Sequence, residues 1–198
     1  MESQLSLGFG EARPAERLFF ALMPDAAAIE AIGTELDALR RSEPLSARPL
    51  LPQRLHVTLH HLGDFAGIPP SVLEGAHRAA AQVDVGAFDV RFDRVGSFGG
   101  RPRRHPLVLR GGGAEAAPAA GADNVSLFAL QRELGLRLAR AGLGHDDAFV
   151  PHLTLMYDAL QLPDRPVAPV CWRVRDFVLI RSFLGQTRYQ FEGRWPLC

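Results

Sequence analysis

Apolar residues recur with two different periods along the chain, and these periods predict strands and helices. Arg17 to Met23 (RLFFALM) is a short apolar run that predicts a buried strand. Pro24-Asp25 then supplies a stop and a helix N-cap. The next apolar residues recur at spacings of three and four, at Ile29, Ile32, Leu36 and Leu39. We therefore predict a strand over 17–23, a helix over 25–40 and a Pro-rich loop over 44–52.

The following segments continue the same alternation. Leu55 to Leu62 (LHVTLHHL) predicts a strand, because it contains β-branched residues and lacks a helix cap. Gly63-Asp64 is expected to end it. Pro69-Pro70-Ser71 predicts the start of a helix that runs to about residue 82. Alternation of Phe, Val and charged residues predicts a strand over 88–93, and a second apolar run predicts a strand over 106–110.

A low-complexity segment divides the chain. Residues 111–122 (GGGAEAAPAAGA) carry no large side chain and predict a flexible joint, at which we place the boundary between two halves. Asp123 or Asn124 is then expected to cap a helix with one apolar face, formed by Leu127, Leu130, Leu134 and Leu138. A strand over 149–157 (FVPHLTLMY) follows. The stretches 172–184 and 187–195 predict a closing hairpin around Gly185-Gln186.

Each half contains an amphipathic helix, a turn-rich loop and a strand with the pattern His-apolar-Thr-Leu. The first copy is His56-Val57-Thr58-Leu59 and the second is His152-Leu153-Thr154-Leu155. Two copies of one unit normally pack around a pseudo-two-fold axis, which places equivalent residues opposite each other. The sequence therefore predicts a cleft that contains both histidines.

The paired motif has the side chains needed for acid–base catalysis. Along a strand, each histidine and threonine share one face, while the residues between and after them enter the core. Two imidazoles titrate near neutrality, so one can accept a proton from water while the other donates one to a departing ribose oxygen. The hydroxyls of Thr58 and Thr154 are expected to bind the non-bridging phosphate oxygens. This inventory suits hydrolysis of a cyclic phosphodiester.

Composition limits the other possibilities. The 198 residues are 47% hydrophobic and 22% charged, which is typical of a globular protein, and no apolar run is long enough to span a bilayer. Residues 1–16 lack the features of a secretory signal and are expected to form a disordered tail on a cytoplasmic protein, with a single bilobal domain over 17–198. Cys171 and Cys198 suggest neither a disulfide framework nor a zinc site. The net charge of zero argues against binding long nucleic acid by charge alone.

The sequence contains no lysine, so all 22 basic residues are arginine. A ligase that forms a lysine adduct, a Schiff-base enzyme and a Walker-type phosphate loop each require a lysine nitrogen. These three mechanisms are excluded.

A metal site is the main alternative, because His56, His60 and His61 cluster in the sequence. On a regular strand, His56 and His60 share a face but lie roughly 13 Å apart, which is too far for one zinc ion, and His61 points away. On a helix the metalloprotease pattern would need Glu where Val57 stands. We therefore expect no metal ion.

The segments RLHVTLHHLGDF and FVPHLTLMYD, together with RLFFALMP, FVLIRSFLG and YQFEGRWPL, resemble the 2H phosphoesterases. The resemblance is specifically to the LigT-like RNA 2′,3′-cyclic phosphodiesterases of the 2′-5′ RNA ligase family. It implies an α+β fold with two pseudo-symmetric lobes, each an antiparallel sheet with helices outside it. It also implies hydrolysis of RNA 2′,3′-cyclic ends to 2′-phosphates without a cofactor, with His56 as proton donor and His152 as proton acceptor.

Two positions depart from the commoner family pattern. His61 replaces a usual Phe, and Tyr157 replaces a usual Arg, so both are candidates for substrate binding. Tyr157 offers a hydroxyl and an aromatic face where an arginine could clamp phosphate; packing at the cleft edge is the alternative. A solvated loop is favoured for Arg101, Arg103, Arg104 and His105, and a grip on the RNA backbone at the cleft mouth is the other possibility. Core packing is favoured for Phe98, Phe149 and Trp172, and a surface position for His77 and His145.

The expected partners are RNA 3′ ends or nucleotides that carry a cyclic phosphate, with no membrane, and the chain is expected to be a monomer. Two alternatives remain. A related phosphodiesterase could act on small cyclic nucleotides or 2′-5′ linkages, or ligate reversibly. A non-catalytic RNA-binding module belongs to another class, and two intact motifs speak against it.

Overall fold

The computed structural model describes residues 13–111, 124–144 and 148–198. Within these ranges the chain forms eight strands, three α-helices and a short 3₁₀ helix at Pro52–Arg54. In chain order the elements are β1 (Glu16–Leu22), α1 (Ala26–Ser42), β2 (Val57–Phe65), α2 (Pro70–Ala80), β3 (Phe88–Ser97), β4 (His105–Arg110), α3 (Val125–Arg140), β5 (His152–Asp158), β6 (Arg165–Val174), β7 (Asp176–Phe183) and β8 (Arg188–Pro196).

The two longest helices begin in different ways. The Asp25 side chain accepts a hydrogen bond from the backbone N–H of Ala28 at 2.9 Å, so the predicted N-cap of α1 is confirmed. The Asn124 side chain does not cap α3. It binds the backbone of Arg91 instead, accepting from N–H at 3.0 Å and donating to C=O at 2.9 Å. The predicted Asn124 cap is wrong because this tertiary contact with β3 uses the amide; Asp123 lies outside the described residues.

All eight strands join one antiparallel sheet in the order β6-β3-β4-β5-β2-β1-β7-β8. The two central strands, β2 and β5, share a single register pair, Val57 with Leu153. The sheet therefore consists of two four-stranded halves, β6-β3-β4-β5 and β2-β1-β7-β8, which are the two predicted lobes.

The predicted division of the chain at residues 111–122 does not match these lobes. β7 and β8 lie beyond that segment, but β7 pairs with β1 and β8 pairs with β7. β3 and β4 lie before it but join β5 and β6. Periodicity identifies strands but not their partners, so it could not reveal this exchange. Residues 112–122 of the predicted joint and 1–12 of the predicted tail lie outside the described residues. Of the remaining tail residues, 13–15 lead into β1, and Glu16, which was predicted to be disordered, is the first residue of that strand.

Two predicted strand ends also differ. Gly63-Asp64 does not end β2, which runs on to Phe65 because Gly63 adopts φ +143° and stays paired with Leu18 of β1. The apolar run 172–184 is split between two strands at Arg175, since Trp172 pairs with Val90 of β3. The hairpin around Gly185 is confirmed, and it joins β7 to β8.

The main core lies between the three helices and one face of the sheet. Alternate residues of β1 are buried on this face, with helix residues such as Ile32 and Leu130 packed against the same cluster. The opposite face carries a smaller apolar cluster of Phe19, Ala21, Val178 and Ile180. It also carries the cleft that contains the histidines. None of the helices in the described ranges is long and apolar enough to cross a membrane.

Candidate active site

The two histidine motifs meet where the half-sheets join. Because Val57 pairs with Leu153 in an antiparallel register, His56 lies beside Thr154, and Thr58 lies beside His152. Val57 and Leu153 are fully buried on the core face, so the histidines and threonines project from the other face. All four line one cleft of about 690 Å³. The structure thus brings the predicted pair of motifs together across a local two-fold axis.

Each motif strand carries an extra residue directly after its threonine. In β2, Thr58 pairs with Ala21 and His60 with Phe20, which leaves Leu59 without a partner. In β5, Leu155 is left out in the same way, between Thr154 and Met156. Such a β-bulge turns two consecutive side chains to the same face. The bulge therefore sends residues 59 and 60, and likewise 155 and 156, into the core, and it turns residues 61 and 157 towards the cleft.

The bulge reverses the predicted orientations of two histidines. Strict alternation placed His60 on the face of His56 and pointed His61 away from it, and both predictions are wrong. His60 is 1% exposed, and its Nε2–H donates to the carbonyl of Gln131 in α3 at 2.7 Å. His61 lines the cleft. Among the residues that the structure describes, no three His, Cys, Asp or Glu side chains cluster in a way that could hold a metal ion.

The imidazoles of His56 and His152 are held in the same way. Nδ1–H of His56 donates to the carbonyl of Arg54, and Nδ1–H of His152 donates to that of Val150, each at 2.8 Å. A carbonyl oxygen can only accept, so the proton is on Nδ1 and Nε2 remains available to a ligand. An aromatic ring supports each imidazole: Phe19 at 5.0 Å from His56 and Phe98 at 4.9 Å from His152, between ring centroids.

The environment of His56 keeps its imidazole neutral. Burial lowers the pKa of His56 from 6.5 to about 4. Burial is the largest cause of this value; the charges of Arg54 and His152 contribute less to the lowering, and the hydrogen bond to the Arg54 carbonyl opposes it. In the substrate-free cleft at neutral pH, His56 is therefore a potential proton acceptor.

Pattern analysis missed an arginine and a tyrosine beside His56. The guanidinium of Arg54 lies 4.3 Å from the ring centroid of Tyr189, and its NH2 donates to the Tyr189 hydroxyl at 3.4 Å. Tyr189 also contacts the His56 ring edge-on at 5.8 Å. The chain has only two tyrosines, and both line the cleft. The available signals in the sequence were this scarcity and the fact that Arg54 and Tyr189 begin two of the segments that carry the family resemblance, RLHVTLHHLGDF and YQFEGRWPL.

Arg17, another arginine that lines the cleft, is neutralised within the protein. Arg17 donates two hydrogen bonds to the Asp64 carboxylate, both at 2.7 Å. Nε2 of His61 lies 3.0 Å from the same carboxylate. The hydrogen bond from Arg17 holds the pKa of Asp64 at about 2, with a smaller contribution from His61. His61 therefore belongs to an ion-paired cluster at the cleft wall.

Tyr157 is 43% exposed in the cleft, and the guanidinium of Arg104 lies 5.0 Å from its ring centroid. Arg104 ends a tight turn in which its N–H donates to the carbonyl of Arg101, and Arg103 has a positive φ of 60°. Of the four residues in the turn singled out by sequence, Arg104 lines the cleft, while Arg101, Arg103 and His105 do not.

The remaining aromatic predictions have mixed outcomes. Trp172 is buried and stacks on Phe92, and Phe149 packs against the core, as predicted. Phe98 supports His152 instead of packing in the main core. His77 is partly buried against Trp195 rather than lying free on the surface, because α2 turns it towards that ring. His145 lies outside the described residues.

A buried carboxylate anchors the loop that forms one wall of the cleft. Asp158 accepts hydrogen bonds from the backbone N–H groups of Ser46, Ala47 and Leu160 at 2.7–2.9 Å. Burial opposes ionisation, but the backbone hydrogen bonds outweigh it and lower the pKa of Asp158. The loop continues to Leu50 and Leu51, which line the cleft.

Comparisons with known proteins agree with this geometry. Residues 24–184 match the model of the 2′-5′ RNA ligase superfamily. The structure is similar to E. coli LigT in apo form, with a TM-score of 0.68 and 26% identity over 93% of this chain and 99% of that chain. LigT complexed with 3′-AMP gives a TM-score of 0.66 with the same identity and coverage.

TT0787 of Thermus thermophilus has the same fold, with a TM-score of 0.64 and 24% identity over 91% of this chain and 97% of that chain. Sequence comparison with curated proteins gave no match. The family model covers most of the chain, and the LigT-like fold covers nearly all of it. The chain therefore belongs to the 2′-5′ RNA ligase superfamily of 2H phosphoesterases, whose members act as phosphodiesterases or ligases.

Proposed function

We propose that this protein hydrolyses the 2′,3′-cyclic phosphate at RNA ends to a 2′-phosphate, without a metal ion, using His56 and His152 as general acid and base. One observation carries the proposal: both imidazoles line one cleft with their Nε2 atoms available, and Thr58 and Thr154 line the same cleft. The solved complexes of LigT with 3′-AMP and with phosphate support a nucleotide ligand.

The reaction needs one proton accepted and one donated. The oxygen of water attacks phosphorus and loses a proton to one imidazole, while the P–O3′ bond breaks and O3′ takes a proton from the other. The product is a 2′-phosphomonoester with a free 3′-hydroxyl. Thr58 and Thr154 donate hydrogen bonds to the non-bridging oxygens, whose negative charge grows in the transition state.

The family resemblance assigns donation to His56 and acceptance to His152. In the substrate-free cleft His56 is neutral, because its pKa is lowered to about 4. Donation by His56 therefore requires that the bound phosphate anion, which offsets the charge of Arg54, raises this pKa. The opposite assignment needs no such change, so the roles must be separated by experiment.

The proposed activity is tested by incubating the purified protein with an oligonucleotide that ends in a 2′,3′-cyclic phosphate, with a strong chelator present. We expect quantitative conversion to the 2′-phosphate. Loss of activity that added zinc restores would contradict the metal-free mechanism. Formation of a 3′-phosphate would contradict the assigned direction of bond cleavage.

Two parallel substrates separate the alternatives. Turnover confined to free cyclic nucleotides would show that the substrate is a small molecule and not an RNA end. Cleavage of a 2′-5′-linked dinucleotide, or its formation from a cyclic end and a free 5′-hydroxyl, would indicate a diesterase or ligase with the same histidines. Tight RNA binding without any product would favour the binding module.

A further inference from the structure

Two of the arginines that line the cleft have no acidic partner in the described part of the chain. In the described part of the chain, Arg17 is neutralised by Asp64, and nine other arginines also lie within salt-bridge distance of a carboxylate. Arg54 and Arg104 form no such pair there. An unpaired guanidinium beside a cleft retains the planar set of donors that binds phosphate. The cleft therefore presents two positive charges that the described protein does not compensate.

These two arginines lie in different parts of the cleft. Arg54 is partly buried beside His56, whose Nδ1–H binds the Arg54 carbonyl, so it lies next to the proposed reacting phosphate. Arg104 is exposed and rests over Tyr157 on the other half-sheet. Tyr157 follows Thr154 by three residues along β5, which is about 7 to 10 Å. Arg104 is thus placed at the rim, beyond the threonine that faces the reacting phosphate.

The contact with Tyr157 prepares Arg104 for an anion. A guanidinium over an aromatic ring is held by a cation–π attraction and keeps its N–H edges free. The tyrosine hydroxyl adds one more donor. Guanidinium and aromatic groups together are the usual means by which proteins bind single-stranded RNA.

We infer that Arg104 and Tyr157 form a second phosphate subsite, which binds the phosphodiester on the 5′ side of the terminal nucleotide. A free cyclic mononucleotide has no phosphate to place there. The subsite therefore makes the cleft selective for RNA ends over cyclic mononucleotides. This inference rests on the proposed function, since it takes the reacting phosphate to lie between His56 and His152.

The test compares a dinucleotide that ends in a 2′,3′-cyclic phosphate with the corresponding cyclic mononucleotide. Arg104→Gln is expected to lower kcat/KM for the dinucleotide about five- to tenfold, as for one exposed ionic contact, and to leave the mononucleotide within about twofold. Arg103→Gln is the matched control, because this neighbour in the same turn does not line the cleft. Arg103→Gln should leave kcat/KM unchanged for both substrates.

Salt dependence provides a second readout. Each phosphate contact on a single strand contributes about 0.7 to the slope of log affinity against log salt. Binding of a dinucleotide with a terminal 2′-phosphate should therefore depend more steeply on salt than binding of a nucleoside 2′-phosphate. Arg104→Gln should remove the extra slope, and Arg103→Gln should retain it.

The outcomes distinguish this inference from the proposed function. If Arg104→Gln weakens both substrates equally, Arg104 serves the reacting phosphate and the subsite is rejected. If Arg103→Gln has the same effect as Arg104→Gln, general loop charge explains the result and the subsite is also rejected. If the wild-type protein hydrolyses neither substrate, the proposed function fails, while the affinities of the two 2′-phosphates still decide whether the subsite exists.

Discussion

In the β2 motif, His56 donates to the carbonyl two residues before it, rests against a phenylalanine and precedes a threonine and a bulge. In the β5 motif, His152 has the same four features. Their surroundings differ. Beside His56, the Arg54 guanidinium has no acidic partner in the described ranges. On the other side, Arg110 lies 5.5 Å from the ring of Phe98, which supports His152, and Arg110 is paired with Asp164.

This contrast shows how a nearly symmetric backbone can divide two chemical roles. The repeated motif fixes where the imidazoles, hydroxyls and Nε2 atoms lie. The side chains outside the motif fix the charge around each imidazole, and an uncompensated arginine disfavours protonation of its neighbour. Burial, with a smaller contribution from the Arg54 charge, lowers the pKa of His56 to about 4 and keeps its imidazole neutral in the substrate-free cleft.

The largest expected effect follows from removing either imidazole. His56→Ala and His152→Ala should each lower kcat for the cyclic substrate by about 10² to 10⁴, with the protein still folded by circular dichroism. A nitrophenyl phosphodiester then separates the roles, because its leaving group departs without a proton. The variant that lacks the donor should recover most of its relative activity on this ester, and the variant that lacks the acceptor should not. Equal recovery of activity in the two variants would contradict the assignment of one histidine as donor and the other as acceptor.

A smaller and equal effect is expected for the two hydroxyls. Thr58→Val and Thr154→Val preserve shape and remove one donor each, and should lower kcat about ten- to hundredfold, somewhat less than the loss of a fully buried oxyanion donor. Steady-state kinetics of both variants measures the symmetry of the phosphate site. A loss confined to one threonine would show that the phosphate contacts only one motif strand.

The last prediction concerns stability and not catalysis. The pKa of His56 is about 4 in the folded protein and 6.5 as its ordinary value, so the unfolded chain binds more protons between these pH values. The free energy of unfolding should therefore fall as the pH is lowered from 6.5 to 4, by up to about 3 kcal/mol. Asp64 has a pKa of about 2, so the stability that its ionisation contributes is lost only below pH 3.8. This range does not overlap with the range in which His56 titrates.

The comparison is with His56→Asn, which lacks the titrating group. Urea unfolding at several pH values should show a flatter dependence between pH 6.5 and 4 in this variant than in the wild-type protein. Parallel curves would mean that His56 is protonated as readily in the folded protein as in the unfolded chain.

The sequence predicted much of the fold because apolar periods report local structure directly. The helix over Ala26–Ser42 and the hairpin at Gly185 follow from such patterns. These patterns did not predict that β3 and β4 join the half-sheet of β5 and β6, or that β7 and β8 join the half-sheet of β1 and β2. Strand partners are set by long-range packing, which a local pattern does not report. The pair Gly63-Asp64 predicts a strand end, but the φ of +143° at Gly63 lets β2 continue to Phe65.

The site shows the same limit. The repeated motif predicted which residues share the cleft, but regular alternation assigned His60 and His61 to the wrong faces. One unpaired residue, Leu59, turns His60 and His61 to the faces opposite to those that regular alternation gives them, and a bulge has no signature in the hydrophobic pattern. Arg54 and Tyr189 were missed because they lie outside the motif and meet His56 only in the folded chain.

The double variant His56→Ala/His152→Ala tests most directly whether both imidazoles act on one phosphorus atom. Groups that act together in one step lose their effect together. We expect kcat of the double variant on the cyclic substrate to lie close to that of the slower single variant. Losses that multiply, to about the product of the two single effects, would show that the two histidines act independently and would contradict this account.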